Sequence, residues 1–205
     1  MYHRMTTKRR GQAHQDAFAY SIAGKQGTYI EIGAFKPATK NNTYGLEVDH
    51  GWKGFSLELN VKWKQAWDEC PERHNPVCWT DATTFDYLAQ VDAMRMPRRI
   101  NYLSCDIEPP NNTFTALKRV IEQGIEFDCI TFEHDKGNPG FAHLLIHNYE
   151  QQAIDFLAQY NYRPVVLDVY AGKNTEWFFE TWFVKNDVEY PSMKFEDWKV
   201  WAGLV

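Results

Sequence analysis

The sequence predicts a single α/β domain built on a doubly wound, seven-stranded, mostly parallel sheet, with helices on both faces and a terminal antiparallel hairpin. Two observations predict it. Five short apolar, β-branched runs alternate with stretches of helical spacing, as parallel strands joined by right-handed crossovers do. The last two runs follow one another with no convincing helix between them, which implies an antiparallel pair at one sheet edge.

Each element has its own signal. Phe18 and Ile22 lie one helical turn apart within 12–25, so a helix leads in. Thr28-Tyr-Ile-Glu-Ile-Gly33 is a buried strand by residue type, closed by glycine. Asn41, Asn42 and Thr43 offer helix caps and Gly51 a stop. Gly54–Leu59 is the second strand, and a helix over 60–70 carries Trp63 and Trp67 as a packing stripe. Val77–Trp79 is a brief third strand. Thr83-x-x-Asp86 resembles a capping box opening a helix to about Met94. Ile100–Asp106 is the fourth strand, after which Asn112 and Thr113 cap a helix with Phe114, Leu117, Val120 and Ile121 on one face. Phe127–Glu133 is the fifth strand, followed by a helix over 148–160 and the closing strands Pro164–Tyr170 and Glu176–Lys185. That hairpin separates this plan from an ordinary dinucleotide-binding fold and is the pattern expected of a Rossmann-like class I methyltransferase.

At 205 residues there is room for one sizeable core, and no repeat or Gly/Ser linker divides the chain. An aromatic share of 16%, with eight Trp, points to a well-filled core, an aromatic-lined pocket, or both. The formal charge of −5 excludes the overall basic field of a sequence-independent nucleic-acid binder, so no nucleic-acid partner is expected. Arg4, Lys8, Arg9 and Arg10 are the exception, read as a flexible basic arm over 1–10, with polyanion contact as the alternative. No apolar run approaches the ~20 residues of a membrane span, and no secretory signal opens the chain, so a cytoplasmic location is expected. Cys70, Cys78, Cys105 and Cys129 form no C-x-x-C, which suggests neither zinc nor a disulfide framework.

Ligands of open α/β sheets bind beyond the carboxyl ends of the strands. Acids stand at those ends in this chain: Glu31, with Gly33 and Ala34, after strand one; Glu58, Leu59 and Asn60 after strand two; Asp81 and Ala82 after strand three; Asp106 after strand four; Glu133 and His134 after strand five. Each suits an adenosyl sulfonium ligand. Glu31 can hold an amino-acid ammonium, Glu58 can accept both ribose hydroxyls, and Asp81 can accept from an adenine amino group. Gly33 lets the backbone approach without a Cβ.

Several ordered blocks add to this. Gly11-Gln-Ala-His-Gln-Asp16, Gly27-Thr-Tyr-Ile-Glu-Ile-Gly-Ala34, Asn41-Asn-Thr-Tyr-Gly-Leu-Glu47 and Gly51-Trp-Lys-Gly-Phe-Ser-Leu-Glu58 resemble the FkbM family of methyltransferases. Ile100-Asn-Tyr-Leu-Ser-Cys-Asp-Ile-Glu108, Ile130-Thr-Phe-Glu-His134 and Glu180-Thr-Trp-Phe-Val184 continue the resemblance over nearly the whole chain. The resemblance implies S-adenosyl-L-methionine as cofactor, bound by the strand-end residues with Asn42, and O-methylation of a hydroxyl on a sugar, glycan or small metabolite. The chain departs from the family pattern at Pro37, which has no backbone N–H, and at Glu108-Pro-Pro-Asn111, beside the acceptor, so the acceptor is not carried over.

For the base that takes the hydroxyl proton, His134 is the first candidate, because an imidazole titrates near ~6.5, with Glu133 and Asp106 beside it. Asp106, Glu133 and His134 also stand where catechol-type O-methyltransferases hold a divalent metal, a reading carried as an alternative but not favoured. His143 and His147 have zinc-binding spacing without the H-E-x-x-H glutamate, which favours a structural or substrate-facing role. Trp177 and Trp182 read as core, with a sugar-facing role as the alternative. Two other functions compete: a methyltransferase fold kept as an inactive binding module, and an NAD-dependent oxidoreductase, which lacks G-x-G-x-x-G after strand one.

Overall fold

A computed structural model describes residues 2–172 and 177–205. Helix α1 (Gln15–Ala23) leads into β1 (Thr28–Ile32), α2 (Tyr44–Val48) and β2 (Lys53–Glu58). A 3-10 turn (Val61–Trp63) and α3 (Lys64–Asp68) follow, then β3 (Val77–Trp79), α4 (Tyr87–Ala93), β4 (Arg99–Cys105), α5 (Pro110–Glu122) and β5 (Glu126–Glu133). The chain closes with α6 (Tyr149–Ala158), β6 (Tyr162–Val169), β7 (Glu180–Lys185), β8 (Met193–Lys194) and α7 (Phe195–Trp201).

The strands form one sheet in the order β3-β2-β1-β4-β5-β7-β6-β8. β1 pairs in parallel with both β2 and β4, so Ile30 faces Phe55 on one side and Leu103 on the other. β7 runs antiparallel between β5 and β6. The predicted hairpin is therefore present, but its second strand is inserted inside the sheet instead of closing the edge. An eighth strand, too short to leave a hydrophobic period, pairs with β6 and covers that edge.

Residues alternate between the two faces as strand geometry requires. Ile30, Leu103 and Ile130 join one core with Tyr87, Leu117 and Leu157 from α4, α5 and α6. Tyr29, Tyr102 and Cys129 join the other with Phe18 of α1 and Trp198 of α7. Trp182 is fully buried there, stacked on Phe18 with ring centroids 4.7 Å apart, so it is a core residue.

Local boundaries differ where caps compete. Asp86 itself caps α4, accepting from the Ala89 N–H, so Thr83 does not open that helix. α5 begins at Pro110, two residues before the expected Asn112 cap, because proline is preorganised for the first helical position and lacks only an N–H that would be unpaired there. The helix expected over 60–70 is split by the 3-10 turn, which separates Trp63 from buried Trp67. His143 and His147 are exposed, and His147 closes a 3-10 turn, so the pair does not share a helix face. Glu176, the expected start of the last strand, lies outside the described residues. The basic arm packs: Met5 is buried and the His3 N–H donates to the Ser21 carbonyl. No described helix is long and apolar enough to cross a membrane.

Candidate active site

The carboxyl ends of β1, β2, β3, β4 and β5 open into one cavity of about 820 Å³. Glu31, Gly33, Asn42, Glu58, Leu59, Asn60, Asp81, Ala82, Asp106 and Glu133 all line it. Ala34 and His134 do not. Ala34 is fully buried, its N–H bonded to the Leu57 carbonyl and its carbonyl to Asn41 Nδ2, so it shapes the loop from behind.

Gly33 has φ +89°, and a Cβ built on it would stand 1.6 Å from the Asp106 carbonyl oxygen. The glycine is thus required by the crossing of two strand ends, a reason nearer than ligand approach. Glu31 is almost wholly buried, and its Oε2 accepts from Ser56 Oγ at 2.7 Å, Thr43 Oγ1 at 3.0 Å and Asn41 Nδ2 at 3.3 Å. Burial pushes its carboxyl above the usual range, while the nearby Arg73 charge and these hydrogen bonds pull the other way.

Arg73 holds this corner together and left no signal in the sequence. Its guanidinium donates to the Pro37 carbonyl and Asn41 Oδ1, each at 2.9 Å, and to Thr43 Oγ1 at 3.1 Å. It pairs with Glu47 at 2.7 Å, lies 3.9 Å from Glu31 and rests on the Trp67 ring. Pro37 therefore contributes a carbonyl to the loop, and its missing N–H is not needed.

Glu58 is fixed by the Phe35 N–H at 2.8 Å and the Asn60 N–H at 2.7 Å, one on each oxygen. Each oxygen keeps a further lone pair for a ligand hydroxyl. Asp81 accepts from the Thr83 N–H and hydroxyl through Oδ1 alone, which leaves Oδ2 uncommitted. Leu59 and Phe35 are exposed at the mouth, and Phe35 meets Trp63 edge-to-face at 4.5 Å, a cavity role for a tryptophan that had read as packing.

At the other end stand Asp106, Glu133, Asp135, Asn112, Asn138 and Trp177. Cys105 pairs with Phe132, so Asp106 and Glu133 follow side by side, close enough to share a proton. They touch the cavity while protein surrounds them elsewhere. That burial pushes Asp106 up to about 6 and Glu133 well above the carboxylate range, the neighbouring negative charge adding to the rise on Glu133.

His134 is placed elsewhere. Its Nδ1 accepts from the Lys136 N–H, which puts the ring proton on Nε2, bonded to Thr181 Oγ1 at 3.2 Å. Burial lowers it to about 4. A neutral imidazole with both nitrogens occupied and no wall on the cavity has no route to an acceptor proton there. His134 was also one of the three residues of the metal alternative, and it does not line the cavity that Asp106 and Glu133 line.

The residues fit an adenosyl sulfonium ligand by one further test. Asn42 lines the cavity and is nine-tenths buried; its Nδ2 donates to Ser104 Oγ, while its Oδ1 is buried with no partner. A buried acceptor without a donor is costly, and an incoming ammonium would satisfy it.

Solved structures share this architecture. A putative rRNA-methylase from Clostridium thermocellum matches with a TM-score of 0.57 at 12% identity, over 89% of this chain and 99% of that one. The METTL16 methyltransferase domain gives 0.53 at 11% identity, over 88% and 70%. The putative tRNA (m1A22) methyltransferase Sp1610 of Streptococcus pneumoniae, solved with S-adenosyl-L-methionine, gives 0.52 at 7% identity, over 88% and 73%. The fold is that of a class I methyltransferase. No protein-family model matches the sequence and no curated protein is significantly similar to it, so the FkbM resemblance stands on its sequence blocks alone.

Proposed function

We propose that the protein is an S-adenosylmethionine-dependent methyltransferase acting on a hydroxyl, as the FkbM resemblance implies. The observation that carries this reading is the convergence of Asn42, Glu58, Asp81 and Asp106 on one cavity at the strand ends. Asn42 and the unbonded oxygen of Glu31 would take the methionine ammonium, and Lys40 and Gln12 are donors for its carboxylate. Glu58 would take the ribose, while Asp81 and Leu59 would take the adenine. When bound, S-adenosylmethionine supplies a methyl on positively charged sulfur, which leaves as a neutral thioether.

The protein's own task is then to align the acceptor and remove its proton. Asp106 is the base in this reading. A carboxyl held near 6 is mostly ionised at neutral pH yet more basic than an ordinary carboxylate, and Glu133, protonated beside it, can steady the charge. His134, off the cavity wall, bonds Thr181 Oγ1, which donates in turn to Glu150.

Asp106→Asn keeps the shape and removes the base. With labelled S-adenosylmethionine and a library of hydroxyl-bearing acceptors, the variant should lose roughly 10²–10⁴-fold in turnover. Its affinity for S-adenosylhomocysteine should change little, and the wild-type rate should rise through about pH 6. Undiminished turnover would remove Asp106 from the mechanism.

A nucleic-acid acceptor is the second reading. Lys40 and Lys62 line the cavity, Lys36 and Lys62 lie over the Trp63 ring in its wall, and structural neighbours are named for rRNA and tRNA. The carboxylates at the inner end weigh against a phosphate reaching that depth.

A further inference from the structure

A second cavity, of about 310 Å³, lies between the N-terminal arm, α1 and the end of α7. Arg4, Arg9 and His3 supply its polar wall and Trp201 an aromatic one, the Ser21 hydroxyl being bonded to the Phe18 carbonyl and the Tyr190 hydroxyl; no carboxylate lines it. In a chain of formal charge −5, this is an uncompensated positive site. Among the described residues, none of Arg4, Lys8, Arg9 or Arg10 forms an ion pair.

The nearest acid offers Arg9 little. Asp16 is fully buried, and its carboxylate is spent on the N–H groups of Arg10, Gly11 and Ala17. Arg9 Nε is buried with no partner, whereas the Arg10 guanidinium lies over the Tyr44 ring, away from this cavity. After burial itself, the charges of Arg9 and Lys199 are what hold the His14 pKa down; Lys199 is paired with Glu196 at 3.1 Å, whereas Arg9 has no ion-pair partner. Guanidinium donors buried without acceptors are the unfinished half of a charge-assisted, forked hydrogen bond, and a phosphate oxygen is the acceptor whose geometry they match.

We propose that this cavity is a phosphate-binding site, with Arg9 and Arg4 as its ligands, and that it anchors a phosphate ester carried by the acceptor. The second half rests on the methyltransferase reading; the first does not. Arg9 and Gln12 set the spacing of the sites: Gln12 lines the active-site cavity, and three residues of chain span at most about 10 Å. That spacing is within the length of a nucleotide. Trp201 gives an attached ring or sugar a surface to rest on.

Calorimetry on the full chain tests it with three probes: inorganic phosphate, adenosine monophosphate and a single-stranded RNA octamer. Saturable binding of phosphate is expected, weakened at least tenfold in Arg9→Gln and in Arg4→Gln and unchanged in Lys53→Gln, an exposed lysine at the far end of β2. Monophosphate tighter than phosphate, with the octamer no better, marks a small phosphate ester; an octamer at least tenfold tighter still marks a strand. No saturable binding of any probe, or equal binding by wild type and both arginine variants, overturns the site. S-adenosylhomocysteine titrated separately should bind wild type and Arg9→Gln alike. Its failure to bind either would remove the methyltransferase reading while leaving the phosphate result to stand or fall by itself.

Discussion

Arg73 spends a buried charge to hold two buried carboxylates, Glu31 and Glu47, beside the proposed ammonium site. Breaking such a group by removing one partner is expensive, since the others stay buried and unpaired. Arg73→Met should therefore cost about 3–5 kcal/mol in urea unfolding; a loss below about 1 kcal/mol would show that water already relieves the carboxylates. Nothing in Glu72-Arg73-His74 signals this, because a loop has no period to separate a buried arginine from a solvated one. Gly33 was legible as a necessary glycine, though the reason lies in the Asp106 carbonyl, a neighbour across the sheet that local sequence does not show.

Among the elements, those with a strong period were legible. β1, β2, β4 and β5 are apolar runs closed by a glycine or an acid, and they appear within a residue or two of expectation. The missed elements are the short ones. β8 has two residues and α7 has seven, and both are defined by their packing on β6 more than by their own pattern. The α4 boundary makes a testable case, because Thr83 and Asp86 looked like one capping box but have separate jobs. Asp86→Ala removes the cap and should cost about 1 kcal/mol of stability with cofactor affinity intact. Thr83→Ala removes one of the two hydrogen bonds that hold the Asp81 carboxylate and should weaken S-adenosylhomocysteine binding with much less effect on unfolding. The reverse pattern, read from paired denaturation and calorimetry, would restore the capping box.

Across the whole molecule, burial of acids couples stability to pH. Glu180 is fully buried between the hairpin and α1, with Oε2 accepting from Gln15 and Trp182 and Oε1 without a partner. Burial pushes it up to about 8, whereas in the unfolded chain a glutamate titrates near ~4.3. Between those values the folded state keeps a proton that the unfolded state has released, so this group's contribution to stability falls as pH rises through the window. Urea unfolding at pH 5 and pH 8 should show that fall, and Glu180→Gln should flatten it; an identical slope in the variant would assign the fall to other acids.

The cavity as a whole was legible because strand ends collect ligands by topology. The order of the base candidates was not, because the sequence cannot show that His134 stands off the cavity wall while Asp106 and Glu133 line it. The central claim is that this cavity takes an adenosyl sulfonium ligand, and a thermal-shift titration with S-adenosylhomocysteine tests it most directly. Saturating ligand at about 100 times its dissociation constant should stabilise the wild type by about 2.7 kcal/mol, with the shift diminished in Glu58→Ala and absent with NAD. No shift in the wild type, or a full shift in Glu58→Ala, would contradict the account.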